Sequence, residues 1–553
     1  MEKIPSFNLY IKESILKHWH QDAFTDYKGA TLQYHDVARK IEKIHILFEN
    51  SGVKKGDKIA LCGRNSSHWA VTFLATLTYG AVAVPIQHEF TADQIHHIVN
   101  HSEAKLLFVG DIVNTIINTD QMPTIEGVIH LPDFSIVLSR SEKLTYAREH
   151  LNEMFGRKFP KYFRKEHISY YKEQHPDELA VINYTSGTTG FSKGVMLPYR
   201  ALWSNLDYIL ECLAPNVKSG SNLVCILPMA HMYGLAVEFL FGFINGCHLF
   251  FLTRLPSPSL IAQAFAEVKP SLIVAVPLII DKIIRRSVLS HVQTNRMKIL
   301  LNMPVINRKI KENIKRRIMD VFGGNAYQII VGGAPLNKGI EQFLNSVDVP
   351  LTIGYGTTET APLITFSNYD KYSTGSCGLA VKHMEVRIDS PDPANIPGEL
   401  ITRGLSTMLG YYKNEEATKE VLDDDGWFHT GDLATMSADG HFYIKGRKKN
   451  MLLGSNGQNV YPEEIEHKLN NMPLVNESII IQRGEKLVAL VFPELEEKAD
   501  MDFDDEDMQN IMEQNLKDLN SQLPPFCKVS AVELRDEEFQ KTAKKSIKRY
   551  LYK

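Results

Sequence analysis

Short apolar, β-branched runs alternate with amphipathic stretches through the first two-thirds of the chain. KIALCG (58–63), AVAVPI (81–86), KLLFVG (105–110), LAVINYTSG (179–187), NLVCILPM (222–229), LIVAVP (272–277), YQIIVGGAP (327–335) and LTIGYG (351–356) read as strands. Between many of them lie helical patterns such as HDVARKIEKIHILFENSG (35–52), with apolar residues three and four apart. Unbroken apolar strands alternating with helices predict α/β layers built on largely parallel sheets. Several of these strands run into Gly/Ser/Thr/Pro loops, and ligands bind at the carboxyl ends of strands in such folds.

From about residue 376 the pattern shortens. MEVRID, GELITRG, WFHTGDLATM and HFYIKGR are brief strands separated by turns, which predicts a small antiparallel or barrel-like unit over about 376–446. After GRKKN (446–450) come the helix YPEEIEHKLNN, strands ESIIIQ and LVALVF, an acidic helix and strand VSAVELRD, a compact α+β unit of domain size. The expected division is an N-terminal domain, 1–448, and a C-terminal domain, 449–553. No repeat of fixed period is visible.

Composition adds limits. The 553 residues are 44% hydrophobic and 23% charged, with a formal net charge of -4, which suits a globular protein and argues against a nucleic-acid binder. The first residues lack the apolar core of a signal peptide. Residues 233–252, YGLAVEFLFGFINGCHLFFL, are the best membrane candidate, but Glu238, Asn245, His248 and three glycines interrupt them, so they read as buried helix and strand. Six cysteines without regular spacing fit reduced thiols and a cytoplasmic location. Residues 496–508 are acidic and read as a solvated helix start. Residues 157–173 mix bases with aromatics. They read as a solvated, partly packed surface segment, with nucleic acid or peripheral contact to the inner membrane face as the alternatives. His97 and His101 share a helix face without a third metal ligand and read as surface.

The strongest motif is YTSGTTGFSKGV, residues 184–195, directly after a buried-type strand. Its three glycines let main-chain N–H groups approach a ligand closely, its hydroxyls add donors and Lys193 adds charge, so the loop suits phosphate. It is not a Walker A loop.

This motif resembles the signature of the AMP-forming adenylating enzymes: acyl-CoA synthetases, nonribosomal peptide adenylation domains and beetle luciferases. Ser192 stands where that signature usually has proline. Further blocks follow in family order: LPMAHMYG (227–234), GGAPL (332–336), GYGTTET (354–360), GELITRG, YYKNEEAT, GWFHTGD and GRKKNMLLGSNGQNVYPEEIE (446–466). The last block and the ending IKRYLY are most similar to bacterial long-chain fatty acyl-CoA synthetases.

The resemblance implies a two-step reaction. A carboxylate attacks the α-phosphorus of ATP to give acyl-AMP and pyrophosphate, and the thiol of CoA then takes the acyl group. It places Thr185, Ser186, Gly187, Thr188, Thr189, Gly190 and Lys193 on the phosphates and Glu359 on Mg2+. Thr358, beside Gly356 and Thr357, falls on the α-phosphate. Tyr355 and the Gly333–Ala334–Pro335 turn fall on adenine, and Asp432 and Arg447 on the ribose. His231, Gly332 and Gly354 fall beside the acyl or thioester site, and Lys449 at a hinge. Met229, Met232, Leu235, Val237, Phe239, Leu240 and Phe243 supply apolar surface for a medium or long fatty acid. A lone His231 or Tyr355 in an apolar context is otherwise an ordinary core residue, and Asp432 after Thr-Gly an ordinary turn cap.

The tail KTAKKSIKRYLYK departs from the family. Anchoring on Thr542, Ile547 and Arg549 puts Ser546 where the family has a catalytic lysine, leaving Lys545, then Lys544, as replacements. Two other readings remain at this level: an acyl-AMP ligase that loads the pantetheine of an acyl carrier protein, and a nucleotide-binding pseudoenzyme. Chain length of the acid and oligomeric state are not encoded in these patterns.

Overall fold

The computed structural model describes residues 4–185, 192–254, 257–284, 304–453, 459–484, 486–495, 504–541 and 547–552. Its largest sheet has eight strands in the order Gly410–Tyr411, Lys193–Pro198, Leu179–Thr185, Val82–Ile86, Lys58–Cys62, Ala104–Val109, Gly127–His130, Ile136–Ser139. The five strands from Leu179–Thr185 to Gly127–His130 are parallel, and the pairings that flank them are antiparallel. Val82–Ile86 is buried along its whole length because helices cover both faces of the sheet, which is why its sequence shows no alternation. The helix Tyr34–Ser51 packs Val37, Ala38, Ile41, Ile44 and Phe48 inward at helical spacing and stops at Gly52, whose φ of 82° suits glycine. Ser66 caps the helix Ser67–Tyr79 by accepting from the Trp69 N–H.

A second sheet joins Asn222–Cys225, His248–Phe251 and Asp22–Asp26 in parallel, with Thr31–Gln33 antiparallel at its edge. A third is the parallel set Leu272–Ala275, Gln328–Val331, Leu351–Ile353. Residues 233–252 are a buried π-helix, Gly234–Leu240, continued by Phe241–Ile244 and then the strand His248–Phe251. Among the described residues no helix is long and apolar enough to cross a membrane.

The unit expected over 376–446 is a four-stranded antiparallel sheet: Met384–Asp389, Gly398–Gly404, Phe428–Met436, Phe442–Arg447. Gly410–Tyr411 leaves it to extend the eight-stranded sheet, tying the two units together. Beyond it, Val475–Arg483, Lys486–Pro493 and Val529–Leu534 form a sheet whose own core includes Ile465, Leu469, Met508 and Met512 from the helices Pro462–Leu469 and Asp505–Ser521. Of the acidic stretch 496–508, residues 496–503 lie outside the described residues; Asp504 caps the second helix through a reciprocal bond with Asp507.

In the basic segment, Phe159 and Ile168 are buried and Lys165 donates to the Leu16 carbonyl, while most of 157–173, Tyr162 included, is exposed, so the segment is a partly packed surface. His97 stacks on His101, whose Nδ1 pairs with the Tyr184 hydroxyl at 2.7 Å. No cluster of three metal-ligating side chains occurs among the described residues.

Candidate active site

Four parallel strands end on one cleft of about 3550 Å³, which also borders the C-terminal unit. Cys225 runs into Ile226, Ala275 into Val276, Val331 into Gly332 and Ile353 into Gly354, and all four following residues line it. The carboxyl ends of strands from two parallel sheets thus gather loops from distant parts of the chain at one cleft.

The first constellation centres on Asp432, which is 5% exposed. Its two oxygens accept separate donors: the Tyr355 hydroxyl at 2.5 Å and Arg447 Nε at 2.7 Å. The register explains the pairing, since Asp432 lies opposite Arg447 in the antiparallel strands Phe428–Met436 and Phe442–Arg447. Burial raises the Asp432 pKa above the usual carboxylate range, with Arg447 and Tyr355 pulling it back. Burial, reinforced by Asp432, likewise pushes the Tyr355 phenol well up. A carboxylate has about four lone-pair sites, so two remain for a ligand. Asp432 therefore offers paired acceptors to adjacent hydroxyls, with Arg447 beside them.

The second constellation joins Lys193, Tyr411 and Glu359. Thr185 and Lys193 are register partners where strands Leu179–Thr185 and Lys193–Pro198 meet, and both line the cleft. The Lys193 ammonium sits 4.8 Å from the centre of the Tyr411 ring, and the Tyr411 hydroxyl donates to Glu359 Oε1 at 2.9 Å. Burial and Glu359 both raise the Tyr411 pKa. Tyr411 thus orients one oxygen of Glu359, a hard donor suited to a magnesium ion. Ser186, Gly187, Thr188, Thr189 and Gly190, expected between these strands, lie outside the described residues.

Gly332, Gly333, Ala334, Pro335, Gly354, Gly356, Thr357 and Thr358 all line the same cleft. Gly356 is required by close approach: an added Cβ would lie 1.8 Å from the Pro362 carbonyl oxygen. His231 also lines the cleft, its Nδ1 accepting the Tyr233 N–H at 3.2 Å, which orients the ring.

The apolar wall differs from the expected one. Met229, Met232, Leu235, Phe239, Leu240 and Phe243 are core residues; Phe239 packs on Phe24, Trp69, Phe73 and Phe251. Of the expected seven only Val237 reaches the cleft, because the π-helix is covered on nearly every side. The cleft's apolar lining comes instead from residues such as Ile209, Leu213, Ile261 and Ile283 on three helices and Leu252 just after a strand.

Lys449 lies in the one-turn helix Lys448–Asn450 and lines the cleft. Burial lowers its pKa, and Arg447 and Lys193 add to this while Asp432 opposes. Beyond it, Lys445 pairs with Glu464 at 3.4 Å, Asn450 donates to Glu463 at 2.6 Å and the Lys338 N–H donates to His467 Nε2 at 2.9 Å, holding the C-terminal unit against the cleft. Lys544, Lys545 and Ser546 lie outside the described residues. Their flanks do not: Lys541 pairs with Ile547 in an antiparallel bridge, Lys541 Nζ lies 2.8 Å from Glu477, and Arg549 is ion-paired with the buried Glu466. These engagements leave Lys541 an anchoring role. Tyr411, a residue that organises the site, carried no signal in the sequence beyond membership of YYKNEEAT, because its partner Glu359 is 52 positions away.

Comparison with known proteins agrees with this geometry. The chain is similar to the long-chain-fatty-acid–CoA ligase of Escherichia coli O6:H1, with 27% identity covering 95% of this chain and 93% of that one. It is 26% identical to long-chain-fatty-acid–CoA ligase FadD15 of Mycobacterium bovis, over 81% of this chain and 74% of that one. Among solved structures it resembles ATP-bound MatB from Rhodopseudomonas palustris, with a TM-score of 0.74, 23% identity and coverage of 99% and 98%. The anthranilate CoA ligase AuaEII in complex with anthranoyl-AMP gives a TM-score of 0.79 at 16% identity, with coverage of 99% and 97%. The model of the AMP-binding enzyme family matches residues 12–412, and that of the AMP-binding enzyme C-terminal domain matches 449–552. The chain therefore belongs to the AMP-binding enzyme family.

Proposed function

We propose that the protein activates a long- or medium-chain fatty acid with ATP to an acyl-adenylate and passes the acyl group to CoA. The observation that carries this reading is the convergence of two constellations in one cleft, Asp432–Tyr355–Arg447 and Glu359–Tyr411–Lys193, beside an apolar lining. The names of the curated relatives support the substrate class.

In this reading Asp432 accepts both ribose hydroxyls, and Tyr355 and the Gly333–Pro335 turn enclose adenine. Thr185, Lys193 and the loop between them hold the phosphates, with Thr358 at the α-phosphate. Glu359 holds the magnesium ion, which would neutralise phosphate charge. A carboxylate attacking a triphosphate of like charge needs positioning and cations more than acid–base chemistry, which fits a site whose His231 is engaged with backbone. The division falls near Lys449, which acts as the hinge about which the 449–553 unit turns between half-reactions, bringing Lys545 or Lys544 to the cleft.

The test is acid-dependent ATP–pyrophosphate exchange with acids from C6 to C18, followed by AMP release with and without CoA. Exchange peaking at medium or long chains, with AMP release requiring CoA, is expected. Best activity with acetate or an aromatic acid would overturn the substrate class. Indifference to CoA, with transfer to a carrier-protein pantetheine, would replace the acceptor.

A further inference from the structure

The segment Ile226–His231 forms one wall of the cleft yet has no regular structure of its own. Backbone polar groups in a buried irregular segment must find partners elsewhere. Here three side chains from three separate elements supply them. Glu238, 2% exposed in the π-helix Gly234–Leu240, accepts the Ile226 N–H at 3.2 Å on one oxygen and the Leu227 N–H at 3.0 Å on the other. Asn65, just before the helix Ser67–Tyr79, donates to the Leu227 carbonyl at 2.7 Å and accepts the Met229 N–H at 2.9 Å. Asn183, 2% exposed in the strand Leu179–Thr185, donates to the Ala230 carbonyl at 2.9 Å.

We propose that Glu238, Asn65 and Asn183 are positioning residues that clamp the 226–231 wall, and through it set how tightly and selectively the cleft takes its acid. Three features carry this. The clamp uses a carboxylate in a core position, where an apolar residue of like size would pack at far lower desolvation cost, so a requirement for its two acceptors stands behind it. Its host is a π-helix, a geometry that is rare and concentrated at functional sites. The clamped residues Ile226, Leu227, Pro228 and His231 themselves face the cleft, so a shift of their backbone moves the wall directly. None of the three clamp residues need touch the reacting atoms. The inference rests on the reading of this cleft as an acid-activating site.

The test compares Glu238→Gln, Asn65→Asp and the remote core variant Val128→Ala in acid-dependent pyrophosphate exchange. Gln keeps one acceptor and turns a donor toward the other N–H. Asp at position 65 keeps the acceptor for Met229 and loses the donor to the Leu227 and Cys225 carbonyls, at a partly buried position on the rim of the cleft. Each clamp variant is expected to raise KM for the acid roughly tenfold or more, from one buried hydrogen bond lost, and to broaden the chain-length profile, with KM for ATP changed less than about threefold. Val128→Ala, buried in a strand outside the cleft, should lower stability while leaving both KM values and the profile unchanged. If Glu238→Gln fails to fold, Asn65→Asp decides. Clamp variants that lose activity only in proportion to stability, as Val128→Ala does, overturn the inference while the functional reading stands. Absence of acid-dependent exchange in the unmodified protein overturns both.

Discussion

Replacing Asp432 with Asn tests the nucleotide reading most directly. The carboxylate already accepts from Tyr355 and Arg447, one donor per oxygen, which leaves about two lone-pair sites, one for each ribose hydroxyl. Asn offers one oxygen and one amide nitrogen, so whichever way it turns, one side of the site presents a donor to a donor. The loss is one hydrogen bond to a charged group, about 2 kcal/mol, which corresponds to about 30-fold in affinity. The folding cost stays smaller, because the Arg447 side chain is 50% exposed and regains water when its partner is neutralised. Isothermal titration of ATP and of 2′,3′-dideoxy-ATP into both proteins separates these effects. The unmodified protein should bind the dideoxy nucleotide more weakly by a factor of about ten or more. Asp432→Asn, which keeps one acceptor, should discriminate less between the two nucleotides, with ATP weakened by about 30-fold. Unchanged discrimination between the two nucleotides in Asp432→Asn, or equal weakening of both, would refute the assignment to the ribose.

Three further outcomes follow from the structure. Lys449→Pro is expected to spare pyrophosphate exchange and impair thioester formation; equal loss of both half-reactions would remove Lys449 from the hinge. Gly356→Ala drives a Cβ into the Pro362 carbonyl and should displace Tyr355 and Glu359 together, lowering kcat/KM for adenylation about 100-fold or more, and an active variant would show that the turn can relax. Burial lowers the His45 pKa to about 4 from an ordinary 6.5. The unfolded chain therefore binds the extra proton first as pH falls. The stability contribution is full above about pH 6.5 and is lost progressively as pH falls through about 4, amounting to about 3 kcal/mol. His45→Gln should flatten this acid-side fall in urea unfolding between pH 7.5 and 4.5, and an unchanged fall would place the sensitive group elsewhere.

Much of the site was legible in the sequence because its residues lie in compact blocks. A Gly-Gly-Ala-Pro run after an apolar strand, or an acid after Thr-Gly, is visible within ten residues, and both line the cleft. The acyl wall was not legible for the opposite reason. Apolar residues in 229–243 look alike whether they face a ligand or the core, and six of the seven proved to be core. The residues that do line the apolar side are spread between positions 209 and 283 and bear no mark distinguishing them from other core residues.

The sequence by itself determined the α/β class, the change of texture near 376, the compact C-terminal unit and the order of the motif blocks. All of these follow from hydrophobic period and local turn chemistry, which act over one to three helical turns or a single strand. Only the tertiary structure decided which blocks meet. Packing of two parallel sheets brought the ends of four strands to one cleft, and antiparallel register set Arg447 opposite Asp432. The exit of Gly410–Tyr411 into the large sheet carried Tyr411 to Glu359. Long-range packing also placed Glu238, Asn65 and Asn183 around one irregular segment, since buried backbone groups there had to be satisfied by whatever side chains the fold brought near.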